Sequence, residues 1–313
     1  PGRFPGRLAP QPPFDLSRMS GEELIGLLDH PNRWFRREAL RILGDRKDAS
    51  LIPGLRAELI AQKAEDRALE LLWALNLCGG LDEATAIPLL DHPDSFVRAW
   101  TVRLMCDDFE ASDALASALA GLAAREPYVA VRSQLACSAR RLPAGQGLPI
   151  VRALLSRAED ATDPHLPLLL WWAIEAHVGK APEAVLALFD EKALWDEAIV
   201  SQTIVERLMR RFAQAGSRAD LLACASLLER SPTKEHAQQL MKGFEAAFEG
   251  QSLSVLPDRL VQAIAASGGG SLPLRVRQGD DQAVTEALAV IADPEADAKL
   301  RAELIRTIGE IRE

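Results

Sequence analysis

Two stretches of the sequence overlay without a gap: HPNRWFRREALRIL at 30–43 and HPDSFVRAWTVRLM at 92–105. EPYVAVRSQLACSA at 126–139 follows the same scheme, and DPEADAKLRAELIRTI at 293–308 follows it with one extra residue. Each carries a proline at the helix start. The first three add an arginine about five residues on (Arg36, Arg98, Arg132), with an apolar stripe after it. Proline suits the first turn of a helix and discourages helix in the residue before it. Two-helix units recurring every ~30–37 residues predict an all-α protein, a right-handed α-solenoid of HEAT-like antiparallel helix pairs. One pair cannot bury its stripe alone, so neighbours stack into a continuous core. No alternating period-two segment of useful length argues for a sheet; SLPLRVRQ at 271–278 is ambiguous and reads as a short helix.

The rest of the chain uses the same grammar. Residues 1–19 hold five prolines and two glycines and read as an extended linker. The solenoid runs over 20–313 as about eight or nine pairs, with a weak break near 268–271 at Gly268-Gly269-Gly270-Ser271. Ser20 and Glu23 form a capping box. Phe35, Ala39, Ile42 and Leu43 share one face, and Gly44 closes that helix. Ala68, Leu71, Leu72, Leu75 and Cys78 form the next stripe, and Asp82 caps a short helix to Leu90. After His92-Pro93-Asp94, Val97, Trp100, Thr101, Leu104 and Met105 point inward. Further pairs are expected at 112–141, 147–178, 182–215, 218–249, 253–279 and 281–312, with Ala237, Leu240, Met241, Phe244 and Phe248 buried.

Charge and composition exclude several functions. A net charge of -9 argues against a nucleic-acid binder, which is normally basic. No apolar run approaches the ~18–20 residues of a membrane helix, so no membrane insertion is expected. Four cysteines are too few for a disulfide framework. No phosphate loop, dinucleotide fingerprint, EF-hand loop or nucleophile elbow is present. The chain opens on Pro1 without a signal peptide, which reads as a fragment or a processed product.

A narrower likeness begins at His30-Pro31-Asn32-Arg33-Trp34-Phe35-Arg36-Arg37, after the proline-rich start, and extends to DPHLPLLLWWAIEAH (163–177) and to residues 275–311. From about Phe14 the chain resembles the HEAT-repeat region of planctomycete-type (PVC) multidomain haem-binding proteins. In that family a sorbosone-dehydrogenase-like β-propeller precedes the repeats and a c-type cytochrome domain with CxxCH follows. The resemblance implies a spacer or scaffold in a periplasmic or cell-surface protein. The chain departs from the family in having no propeller and no CxxCH: Cys78, Cys106, Cys137 and Cys224 are far apart. The family's haem-binding residues have no counterpart, and no cofactor, metal site or catalytic residue is expected.

The candidate sites each have a structural alternative. Arg33, Arg37 and Arg41 line one helix face, with Arg36 and Trp34 beside them. They read either as a patch for an acidic partner or as a solvated ridge paired with Glu38 and its neighbours, and isolated surface charges contribute little. Arg36, Arg98 and Arg132 line a groove or form a ladder onto helix-end carbonyls and acids. Trp34, Trp73, Trp100, Trp171, Trp172 and Trp195 pack between repeats or offer stacking platforms; adjacent Trp171 and Trp172 point apart, so one faces out. His30 and His92 precede a proline and suit a turn role, while His165, His177 and His236 are isolated. The cysteines read as buried thiols, with a bridge between neighbouring helices left open.

The sequence thus predicts a noncatalytic scaffold whose partners are proteins, either adjacent domains or a partner chain. The interaction patch is Arg33, Trp34, Arg36, Arg37, Arg41, Trp171 and Trp172. A free-standing adaptor for helices or extended peptides is the alternative. From another class, a HEAT-like DNA glycosylase needs a basic concave face and a phycobilin lyase a pigment-sized cleft with placed acids.

Overall fold

A computed structural model describes residues 15–61, 65–249 and 256–310, and the described residues hold helices and no strand. Among the described residues eighteen α-helices pack against their neighbours, in two compact units that meet in sequence at Asp108 and Phe109. Most of the proline-rich start lies outside the described residues. Its last part holds a short 3-10 turn over Leu16–Arg18 whose Leu16 is buried.

The first unit holds α1 (Gly21–Gly26), α2 (Arg33–Arg46), α3 (Ile52–Ala61), α4 (Glu65–Leu77), α5 (Glu83–Leu89) and α6 (Ser95–Met105). The predicted capping box forms: Ser20 Oγ accepts from the Glu23 amide at 3.2 Å, and Glu23 Oε2 accepts from the Ser20 amide at 2.7 Å. Asn32, Asp82 and Asp94 cap α2, α5 and α6 with their side-chain oxygens. Pro31 and Pro93 therefore stand just before the cap, two residues ahead of the first helical turn expected for them. The core joins Leu24, Leu43, Leu59, Leu71, Leu75 and Val97. Of the α6 residues expected inward, Val97 and Thr101 are buried and Trp100, Leu104 and Met105 are half-buried.

Gly44 does not close α2. The helix runs to Arg46, and Lys47 takes the left-handed cap at φ 47°. A Cβ on Gly44 would lie 3.3 Å from Leu77 Cδ2, so its smallness serves the approach of α4. Leu71 is fully buried and Val97 likewise. Leu71→Ala is expected to cost about 2–4 kcal/mol, and Val97→Ala somewhat less, in urea titrations. Unchanged midpoints would show that these faces do not form the core.

The second unit begins with α7 (Asp113–Arg125), α8 (Val129–Ala139), α9 (Ala144–Leu155) and α10 (Leu166–Val178), followed by α11 (Pro182–Ala187), α12 (Val205–Ala215), α13 (Arg218–Arg230) and α14 (Lys234–Ala247). It ends with α15 (Asp258–Ala266), α16 (Leu272–Arg277), α17 (Asp281–Ala292) and α18 (Ala298–Glu310). Gly268 and Gly269, at φ 113° and 75°, lie between α15 and α16. The predicted pair over 182–215 is irregular. Between α11 and α12 the chain makes 3-10 turns at Leu188–Asp190 and Lys192–Asp196 and a π turn at Val200–Ile204. This path buries Phe189 against Trp195, whose Nε1 donates to the Phe189 carbonyl at 3.0 Å.

Two glycines each let a helix come close to the backbone of another. A Cβ on Gly147 in α9 would sit 2.3 Å from the Ala139 carbonyl oxygen, and one on Gly243 in α14 would sit 2.0 Å from that of Glu206 in α12. At the first contact, His177 Nε2 of α10 donates to the same Ala139 oxygen at 3.2 Å. Burial holds the His177 pKa below its ordinary 6.5, because the charged ring loses its hydration; Lys180 adds to this. The unfolded chain therefore binds the proton more readily. His177 adds stability that is complete above about pH 6.5 and is lost as pH falls towards its depressed native pKa. Denaturation midpoints of His177→Gln should fall less steeply than those of the parent below about pH 6.5; parallel pH profiles would count against the assignment.

Candidate interaction surface

The candidate surface is built on α2, and its geometry starts at the turn before the helix. His30 Nδ1 accepts from the Asn32 amide at 3.0 Å, and Asn32 Oδ1 accepts from the Trp34 amide at 2.9 Å. The same turn recurs before other helices. His92 Nδ1 accepts from Asp94 at 3.1 Å, Glu126 Oε1 from Tyr128 at 2.8 Å, Asp163 Oδ1 from His165 at 2.8 Å and Asp293 Oδ1 from Glu295 at 2.9 Å. In every case the residue before proline supplies an acceptor for the amide after it. This explains why His, Glu and Asp alternate at that position, and why His30 and His92 serve the turn. The Leu166 and His165 amides hold the Asp163 carboxyl below the usual range.

The recurrent arginine clamps this turn. Arg36 Nη1 donates to the His30 carbonyl at 2.8 Å, Arg98 Nη1 to those of His92 and Pro93 at 2.8 and 3.0 Å, and Arg132 Nη1 to those of Glu126 and Pro127 at 3.1 and 2.8 Å. Arg36 also reaches Glu70 at 3.0 Å, and Arg132 reaches Asp160 at 2.7 Å, each an acid from a later element. The ladder reading holds, and Arg36 faces inward to this clamp rather than belonging to an open patch.

With Ala39, Ile42 and Leu43 buried, the opposite side of α2 faces solvent. Arg33, Trp34, Arg37 and Arg41 are exposed, and Trp34 at 53% ranks among the most open large apolar side chains. The Trp34 ring stands edge-on to Phe35, centroids 5.0 Å apart, and Phe35 is covered by the His30 ring at 4.1 Å. Arg41 is committed to Glu38 and Asp45, at 2.5 and 2.6 Å, and lowers the Glu38 pKa through its hydrogen bond. Arg33 and Arg37 have no carboxylate or carbonyl partner among the described residues.

Trp171 and Trp172 belong to α10 in the second unit. Trp171 is half-buried and Trp172 exposed, as their divergence on a helix requires. The candidate residues thus fall on two helices of two units. Trp73 and Trp100 form an edge-on pair at 5.1 Å with Arg103 over Trp100, and Trp195 is buried. Cys78, Cys106 and Cys224 are buried, and burial raises the Cys78 and Cys224 pKa values. Cys137 is exposed on α8, contrary to expectation, and no disulfide joins any of the four.

Two features escaped the sequence because they depend on which helices meet. One is a cleft of about 400 Å³ between α14, α16 and α18, where Glu245, Glu249 and Glu303 face Arg277, Lys299 and Arg306. Most of these charges serve the fold. Arg277 is tied to Glu310 at 3.0 Å, Arg306 approaches Glu249 at 3.7 Å, and Glu245 accepts from the Ser271 amide. The other is the set Thr233, His236 and Asp196. His236 Nδ1 is 3.1 Å from Thr233 Oγ1, but its Nε2 stands 3.5 Å from Asp196, and Thr233 Oγ1 accepts from the His236 amide as the cap of α14. A cap occupied in this way is a helix start and not an activated nucleophile. Among the described residues no three His, Cys, Asp or Glu converge on a metal position, and no helix is long and apolar enough to cross a membrane. No family model and no curated protein matches the chain.

Proposed function

We propose that the chain is a noncatalytic HEAT-type α-solenoid that serves as a scaffold and protein-interaction module. In line with the family it resembles, it spaces a propeller from a cytochrome c domain in a periplasmic or cell-surface protein. The observation that supports this most is the repeated helix start. An acceptor, a proline and an arginine clamp recur at 30–36, 92–98 and 126–132, with similar hydrogen bonds each time. A turn rebuilt at this spacing sets successive helices in similar poses, which is what a stack of units needs. Its function is then carried by surface and not by a reaction centre.

Small-angle scattering of the purified chain tests the architecture. A compact globule of this length has a radius of gyration of about 20 Å, and a solenoid exceeds it clearly. The same sample should show no covalent haem band and no stoichiometric metal, because covalent haem attachment needs the paired thiols and adjacent histidine of CxxCH. A value near the globular one, or a Soret band surviving denaturation, would remove this reading.

A further inference from the structure

We propose that the outer face of α2, formed by Arg33, Trp34 and Arg37, docks an extended acidic protein segment that carries an apolar side chain. The inference rests on the interaction-module reading and names the surface and its partner class. It starts from a charge contrast. The chain carries a net -9, yet residues 33–47 hold six basic side chains (Arg33, Arg36, Arg37, Arg41, Arg46, Lys47) against two acidic ones (Glu38, Asp45).

The use made of these charges separates structure from surface. Arg36 clamps the turn and pairs with Glu70, Arg41 is held by Glu38 and Asp45, and Arg46 donates to the Met19 and Ser17 carbonyls at 2.7 Å. Elsewhere in the unit Arg56 meets Asp82 and Arg67 meets Glu58 and Asp29. Arg33 and Arg37, one turn apart and both exposed, are left with no such partner among the described residues. Neighbouring guanidinium groups with vacant donors suit carboxylates spaced along an extended chain.

Trp34 supplies the second half of the surface. It is 53% exposed, and contact with Phe35 orders its ring, so little side-chain entropy is lost when another apolar group covers it. An aromatic ring flanked by arginines is a common composition of interface centres. A nucleic acid fits less well. Two vacant arginines neutralise few phosphates, and the acidic remainder of the chain repels a polyanion.

Fluorescence anisotropy on the full chain tests the proposal with three labelled probes. These are a fifteen-residue peptide alternating Asp/Glu with Leu/Phe, the same peptide with Ser for each apolar residue, and a fifteen-nucleotide oligothymidylate. Binding of the first peptide is expected at low salt, weakened roughly tenfold or more in Arg33→Glu/Arg37→Glu and roughly fivefold in Trp34→Ala. The Ser peptide should bind about as weakly to the parent as the first peptide does to Trp34→Ala. Arg140→Glu/Arg218→Glu makes the same charge change on exposed arginines of the other unit and should bind like the parent. All substituted side chains are exposed, so matching circular dichroism melts will confirm folding. Equal affinity of the parent and Arg33→Glu/Arg37→Glu for the first peptide, no binding by the parent, or preference for the oligonucleotide would each overturn the proposal. None of these outcomes touches the scattering test, which bears on the architecture alone.

Discussion

Gly243→Ala is expected to destabilise the second unit by about 3 kcal/mol or more, although alanine is the better helix former. Propensity alone favours the substitution by about 1 kcal/mol. Against this, the new methyl would stand 2.0 Å from the Glu206 carbonyl oxygen, 2.9 Å from its carbon and 3.2 Å from the Arg210 amide nitrogen. These are backbone atoms of α12, so no rotamer change relieves the clash and the two helices must separate. Separation strips contacts from Leu240 and Phe244 of α14 and from Leu208 and Phe212 of α12, all fully buried. Gly54→Ala in α3 is the control of opposite sign. Nothing lies within 4 Å of its new Cβ, and the residue is exposed, so a gain of about 0.5–1 kcal/mol follows from propensity. Urea midpoints moving the same way in both variants would show that close approach does not govern Gly243.

Gly243 also marks where sequence reading reaches its limit. The stripe Ala237, Leu240, Met241, Phe244 and Phe248 is legible from its spacing and is buried. Nothing in that spacing reveals that a glycine between those residues faces the backbone of α12, because the distance is set by how two helices cross. The helix starts were legible for the opposite reason. Ser20, Asp82 and the His-Pro and Glu-Pro turns act within six residues, and local hydrogen bonds decide them. The segment 182–215 failed because Phe189 and Trp195 are buried by an irregular path, and helical periodicity does not encode 3-10 and π turns. At the candidate surface, the charge row on α2 was visible in the sequence. The division of its arginines between clamp, ion pair and open surface was not, since Glu70 lies 34 residues from Arg36.

Asp160→Ala is expected to cost about 3–5 kcal/mol, while the corresponding change in the first unit, Glu70→Ala, costs about 1 kcal/mol or less. The two acids play the same part, each accepting from the arginine that clamps a proline turn. Burial separates them. The Arg132 and Asp160 side chains are 6% and 3% exposed, against 27% and 13% for Arg36 and Glu70. Arg132 Nε donates to Asp160 Oδ2 at 2.7 Å and Nη2 to Oδ1, a two-point contact that raises the Arg132 pKa further. Removing Asp160 takes the two-point contact from a guanidinium held out of water and leaves it to the Glu126 and Pro127 carbonyls and the Coulombic pull of Glu159 and Glu126. Arg36 in the same position regains water. The cost in the second unit is therefore the stranded charge and not the worth of the pair, and removing both partners should recover most of it. Arg132→Met/Asp160→Leu is expected within about 1 kcal/mol of the parent or above it. Urea midpoints of the two single variants and the double variant measure this directly. A small loss in Asp160→Ala, or a double variant as unstable as the single one, would show that the clamp is held by its carbonyl bonds alone.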